Sequence, residues 1–207
     1  MKKLNVLLST LACVLGLCAC APKEDPNPTP TPSGSANFGL GQIGSCGLDT
    51  VKAALLEEDC DYSSDASECG EVDGMTVFFC PEDASTFSVN DYAEGCVLFV
   101  GVGFSGKGAG TLGDFKVYAN ALVANKDHFS AIYVLSCEAK CRGASSDQLL
   151  EIVAPAATKV LYATECFDAN NQTLSDIFGE SKLVDLGSNT AADFSEKLTN
   201  KLLDLIG

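Results

Sequence analysis

From Phe38 onward the chain alternates between two kinds of apolar pattern, and this alternation limits the folds open to it. Short runs rich in β-branched or aromatic residues occur at Met75 to Phe79, Val97 to Val102, Ala131 to Leu135, Lys159 to Ala163 and Lys182 to Leu186. Their near-continuous apolar character fits strands covered on both faces, since a sheet with one wet face would alternate polar and apolar residues. Elsewhere apolar residues recur every three or four positions, as at Leu48, Val51 and Leu55, at Phe115, Tyr118 and Leu122, and from Ala191 through Phe194, Leu198, Leu202 and Leu205. That is the period of a helix with one buried face. Ser145 and Gln148 have capping-box spacing ahead of Leu149, Leu150 and Val153, and Pro155 limits how far this helix can run. Strand and helix taking turns predicts a three-layer α/β domain with a mostly parallel sheet and right-handed crossovers. The segment 38–207 is long enough to bury one core of its own.

The segment ahead of it has a different character. Residues 1–19 open with Met1-Lys2-Lys3, continue through an apolar run from Val6 to Leu17 and end in small residues, the layout of an export signal. The run is too short to span a bilayer, which needs ~20 apolar residues. Leu17-Cys18-Ala19-Cys20 resembles the lipobox of bacterial lipoproteins, which implies cleavage before Cys20 and acylation of its thiol and amine. More than one acyl chain makes such an anchor stable. Residues 20–37 carry five of the seven prolines and almost nothing apolar, so they read as an extended tether. Lys23-Glu24-Asp25 resembles the short signal that sends lipoproteins of the Bacteroidetes type to the outer face of the outer membrane. The expected location is therefore the cell envelope, with the lipid bilayer as one partner through Cys20.

Export also explains the 11 cysteines. Cys13 and Cys18 leave with the signal and Cys20 carries lipid, which leaves Cys46, Cys60, Cys69, Cys80, Cys96, Cys137, Cys141 and Cys166. An even number outside the cytosol predicts a disulfide-stapled domain, with Cys60–Cys69 and Cys137–Cys141 the shortest candidate loops and the overall pairing open. The spacing lacks the paired two-residue Cys motif of a zinc site, so no structural metal is expected. The net charge of -15 disfavours nucleic acid. Much of that charge lies between Cys46 and Glu94, where 13 acidic residues face Lys52 alone. The densest part departs from the calcium-loop template, with Ser64 in the glycine position and Gly70 in that of the bidentate glutamate.

After the run Val97 to Val102 the chain reads Gly101-Val102-Gly103-Phe104-Ser105-Gly106-Lys107-Gly108-Ala109-Gly110. Gly101, Gly103 and Gly106 match GxGxxG, while Gly101, Gly106 and Lys107 match GxxxxGK. Gly108 stands where a hydroxyl should bind magnesium, and the next helix is delayed past Gly113, so a nucleotide cofactor is not expected. The stretch reads instead as a glycine-rich loop at the C-terminal end of a parallel strand, where α/β proteins place ligands. Gly101, Gly103, Ser105, Gly106 and Lys107 are therefore ligand-cleft candidates, with Glu138 from the loop after Leu135.

The order from Val97 to about Ala163 resembles the core of caspase-like (CHAT-type) cysteine peptidases: apolar strand, Gly-rich loop, helix with Tyr118-Ala119 and Leu122, strand, Leu135-Ser136-Cys137, helix, strand. The resemblance implies a caspase-like, Rossmann-like topology and makes Cys137 the nucleophile position. The family's base comes from a His-Gly pair in the first loop, and residues 101–113 contain no histidine. The one histidine, His128, lies between a helix and the next strand, which puts it at the opposite end of the sheet from Cys137. A thiol without a base is a poor nucleophile at neutral pH. The resulting expectation is a non-catalytic binding or interaction module for a protein or small-molecule ligand. The alternatives are a hydrolase using Cys137 or thiol-disulfide exchange at Cys137 and Cys141.

Overall fold

Three hydrogen-bonded strands form the centre of the molecule: β1 (Phe38–Gly44), β4 (Val97–Gly103) and β5 (Ala131–Ser136). To one side lie β3 (Met75–Phe78) and, at the edge, β2 (Gly70–Val72); to the other lie β6 (Lys159–Tyr162) and β9 (Leu183–Asp185). The order is β2-β3-β1-β4-β5-β6-β9, parallel throughout except for the antiparallel β2–β3 pair. The computed structural model describes residues 38–45, 70–72, 75–78, 87–106, 110–169 and 172–206, all within the unit Gly34–Gly207. Outside the described residues lie the expected signal and tether with Cys20, the Leu48–Leu55 pattern, most of the acidic stretch, and Cys46, Cys60, Cys69, Cys80 and Lys107.

The expected α/β architecture is present. Side chains alternate across the sheet, as strand geometry requires. Phe38, Leu40, Phe99, Tyr133, Leu135 and Leu161 face one way and meet Phe194, Leu198, Leu202 and Ile206 of α5 (Phe194–Ile206). Leu98, Val100, Val102, Ile132, Val134 and Val160 face the other and meet α1 (Leu112–Ala124) and α2 (Ala144–Val153). Every residue of β4 is buried, which is why its sequence shows no polar alternation. Two short helices, α3 (Thr164–Phe167) and α4 (Leu174–Phe178), flank a small hairpin of β7 (Asp168–Ala169) and β8 (Gln172–Thr173). Among the described residues no helix is long and apolar enough to cross a membrane.

The structure differs from the sequence reading in its first strand, at the start of one helix and in its cysteines. Strand β1, Phe-Gly-Leu-Gly-Gln-Ile-Gly, shows no strand signal because glycine is a poor strand former. Gly39 and Gly41 are needed because the Tyr92 ring lies against them: a Cβ at Gly39 would sit 2.4 Å from Tyr92 Cδ1, and one at Gly41 2.6 Å from its hydroxyl. That hydroxyl donates to the Leu40 carbonyl at 3.0 Å. The Ser145–Gln148 capping box does not form, since α2 begins two residues earlier, with Gly143 at the cap position and no side-chain cap. The boxes that do form are Thr111–Asp114 on α1 and Thr173–Asp176 on α4.

The third difference concerns the cysteines. Cys96, Cys137 and Cys166 are buried free thiols, so the expected Cys137–Cys141 loop is not closed and the expected complete stapling is not seen. They fill apolar space as small hydrophobes, Cys96 among the residues under α1 and α2, Cys137 and Cys166 on the α5 face. Cys141, unlike these three, is not a free thiol.

Candidate functional site

Parallel strands deliver their C-terminal ends to one rim of the sheet, where ligands of α/β proteins usually bind. Here that rim comprises Ser45 after β1, Phe104–Gly106 after β4, Cys137–Asp147 after β5, and α3 after β6. Gly101 and Gly103 are strand residues rather than loop residues: Gly101 is paired with Gln42 and Leu135, and Gly103 with Gly44. The latter pair is so close that a Cβ on Gly44, whose φ is +115°, would fall 1.8 Å from the Gly103 carbonyl oxygen. Beyond β4 the Ser105 amide donates to Ser45 Oγ at 2.9 Å, and the two serine hydroxyls are 3.0 Å apart. Gly106 turns the chain with φ +71°.

The phosphate-binding fingerprints do not run directly into a helix, since α1 begins only at Leu112. At the start of α1, Asp114 Oδ2 accepts from the Thr111 amide at 2.9 Å and from its hydroxyl at 2.8 Å. These bonds hold the Asp114 carboxyl below its usual range and put a negative charge in the first turn of α1, which disfavours an anion there.

The loop after β5 contains groups the sequence reading did not single out. Ser146, fully buried, accepts from the Phe104 amide at 2.8 Å, and its hydroxyl reaches the carbonyls of Phe104 and Cys141. It therefore ties the β4 loop to the loop after β5. Beside it Arg142 and Asp147 form a buried ion pair, with Arg142 Nε and Nη2 3.0 and 2.8 Å from Asp147 Oδ1. The guanidinium also donates to the carbonyls of Cys166 and, at 3.0 Å, Gln172. Asp147 Oδ2 has no hydrogen-bond partner among the described residues. A signal was present in the sequence: Ser146 falls on the stripe Ser146, Leu149, Leu150, Val153, a polar residue where the helical period calls for an apolar one.

Cys137 stands immediately after β5, on the rim, as the resemblance implies, but its side chain is 1% exposed and packs in the α5-face core. Burial pushes its thiol up to about 12, and the neighbouring Cys166 and Glu138 add to the effect. The Asn189 amide donates to the Cys137 carbonyl at 3.1 Å. Glu138 pairs with Lys140 at 3.3 Å. His128 closes the 3₁₀ turn Lys126–His128 at the N-terminal end of β5, the far end of the sheet, where it is half-buried and its Nε2 donates to the Tyr92 carbonyl at 2.9 Å. The rim thus joins Ser45 to Ser105, and Ser146 to Phe104 and the Cys141 carbonyl, and the Cys137 thiol is buried in the α5-face core. At the far end, an open groove of about 210 Å³ runs between the 3₁₀ turn Lys126–His128 and the residues Pro155 to Thr158.

The chain matches no protein-family model, no curated protein and no solved structure.

What this arrangement does chemically follows from its contents. A rim whose hydroxyls and guanidinium are bonded to loop carbonyls holds its loops in fixed positions. Burial raises the Cys137 thiol, which opposes thiolate formation at neutral pH.

Proposed function

We propose that this is a lipid-anchored protein of the bacterial cell envelope, fixed to the outer membrane through acylated Cys20 and held off the lipid by its Pro-rich tether. In this reading the α/β domain is a binding or interaction module rather than an enzyme. The observation that carries the second half is the state of Cys137: it occupies the nucleophile position of the caspase-like resemblance, yet its thiol is buried and raised to about 12. The succession β4, glycine-containing turn, α1, β5, Cys137, α2, β6 supports the finer caspase-like assignment of the fold. Exchange between Cys137 and Cys141 loses its support, because Cys137 is a free thiol and Cys141 is not.

Two measurements on full-length protein expressed in a bacterium test the reading. Intact mass should show cleavage before Cys20 and the added mass of diacylglycerol and an amide-linked acyl chain; an unmodified mature N-terminus would refute the anchor. The folded, reduced protein treated with iodoacetamide at pH 7 should leave Cys137 unmodified for hours. Rapid, selective alkylation of Cys137 would instead favour the hydrolase reading.

A further inference from the structure

α2 starts at Ala144 with Gly143 in the cap position, which makes Ser146 its third residue. The first amides of a helix have no partner within it, and the side chain of the cap residue normally takes the second or third of them. Glycine has no side chain to offer. The Asp147 amide is the first that the helix itself satisfies, donating to the Gly143 carbonyl at 2.9 Å, and among the described residues the Ser146 N–H has no acceptor. At an exposed helix start bulk water completes such an amide, but Ser146 is 0% exposed. A buried peptide N–H without a partner is rare, because it has given up its hydration for nothing.

The next residue has the opposite need. Asp147 is 3% exposed, and its Oδ2 is closed off from solvent with no donor among the described residues. A guanidinium fork can take both oxygens of a carboxylate, yet here Nε and Nη2 of Arg142 both donate to Oδ1, at 3.0 and 2.8 Å, which leaves Oδ2 outside the ion pair. Side chains on a helix lean toward its N-terminus, so the Asp147 carboxylate leans toward the end where the Ser146 amide is open. A buried donor and a buried acceptor thus stand on consecutive residues without bonding each other.

The chemistry that satisfies both is narrow. An anion suits the amide but is repelled by Asp147, and a cation suits the carboxylate but not the amide. A hydroxyl accepts and donates at once. Because both atoms are shut away from solvent, it has to come on a molecule small enough to be enclosed as the chain folds. We propose that one water molecule is built into the protein at this point, accepting from the Ser146 N–H and donating to Asp147 Oδ2. It joins two polar groups that the protein's own bonds leave separate. The Ser146 hydroxyl ties Phe104, after β4, to the Cys141 carbonyl, while Arg142 ties Asp147 to the carbonyls of Cys166 in α3 and Gln172 in β8. With the water in place the loop after β4, the start of α2 and the β7–β8 hairpin belong to one network. The site stands whether or not the chain is anchored to lipid.

The test uses the full-length chain. A high-resolution crystal structure should show one fully occupied water within ~2.7–3.2 Å of both Ser146 N and Asp147 Oδ2. In solution, the Ser146 amide of isotope-labelled protein should give cross-peaks to the water resonance whose NOE and ROE have opposite signs, the mark of a water held far longer than the surface shell. Ser146→Ala keeps the amide and removes the neighbouring hydroxyl, so the cross-peaks should persist in it; their disappearance would mean that the signal was relayed through the hydroxyl and would overturn the proposal. The crystal structure of the unaltered chain stands even if that variant fails to fold. A protein donor on Oδ2, a water that reaches only one of the two atoms, or a larger molecule bridging them would each overturn it as well.

Discussion

Replacing Arg142 by Met tests whether the loop after β5 is held by charge or only filled by a large side chain. The guanidinium makes two contacts with Asp147 Oδ1, one with the Cys166 carbonyl and one with the Gln172 carbonyl. Both partners of the ion pair are nearly fully buried, at 7% and 3% exposure, so the variant leaves a carboxylate in the interior without its cation. Breaking a buried pair in this way costs ~3–5 kcal/mol. Asp147→Leu alone strands the guanidinium and should cost a similar ~3 kcal/mol. The double variant removes both charges and leaves only two carbonyls short of a donor, at ~1–3 kcal/mol in all. The single costs therefore exceed the double cost by at least ~3 kcal/mol, a coupling far above the ~0.5 kcal/mol of independent sites. The chain has no tryptophan, so urea unfolding is best followed by circular dichroism at 222 nm. In a thermal scan Arg142→Met should lower Tm by roughly 6–20 °C. A loss below ~1 kcal/mol, or additive single and double variants, would refute the view that this pair organises the rim.

Gly44→Ala should cost roughly 2–4 kcal/mol, since its Cβ would collide with the Gly103 carbonyl at an unfavourable φ. Gly95→Ala, with φ +82° but nothing within 4 Å, should cost only ~1 kcal/mol, and the difference in urea midpoints checks the contact. Ser146→Ala should cost ~1–3 kcal/mol and speed amide hydrogen exchange at Phe104, whose N–H loses its acceptor; unchanged exchange would refute the tie. In the reduced protein, burial raises Cys96 and Cys166 to about 11 and Cys137 to about 12 from an ordinary value of 9.0. Below pH 9 the thiols are protonated in both states and contribute no slope. Above it the unfolded chain loses protons that the native state keeps, so stability should fall by ~1.4 kcal/mol per pH unit per thiol until the folded values are reached. Urea midpoints at pH 8 and pH 10.5 measure this, and Cys137→Ala should shrink the fall.

Local pattern was enough to reveal most elements, because each is specified by its own residues. β4, β5 and β6 are continuous apolar runs, and α1 and α5 carry apolar stripes at helical spacing, so their position and burial could be read directly. β1 escaped because its glycines answer to the Tyr92 ring, 51 residues away from Gly41 in sequence. The start of α2 escaped because Gly143 precedes it with no side-chain cap, and the capping-box spacing of Ser145 and Gln148 was a coincidence of composition; the Ser146 hydroxyl instead bonds Phe104 across the rim.

The candidate site divides in the same way. Sequence placed Cys137 after a strand and His128 at the opposite end of the sheet, because strand direction and chain order settle which end a residue occupies. Depth is set by what packs on top. α5, more than fifty residues later, closes the face on which Cys137 lies, and the apolar surroundings keep its thiol protonated. The partners of Arg142, Ser146 and Cys137 come from β4, α3 and the turn at Asn189, which meet only when the parallel sheet brings its strand ends together. By itself the sequence determined the layer architecture, through periodicity, because apolar faces must be buried wherever they lie. Tertiary structure alone decided which polar groups pair across the rim and which cysteines are neighbours, because those contacts depend on side chains distant in sequence.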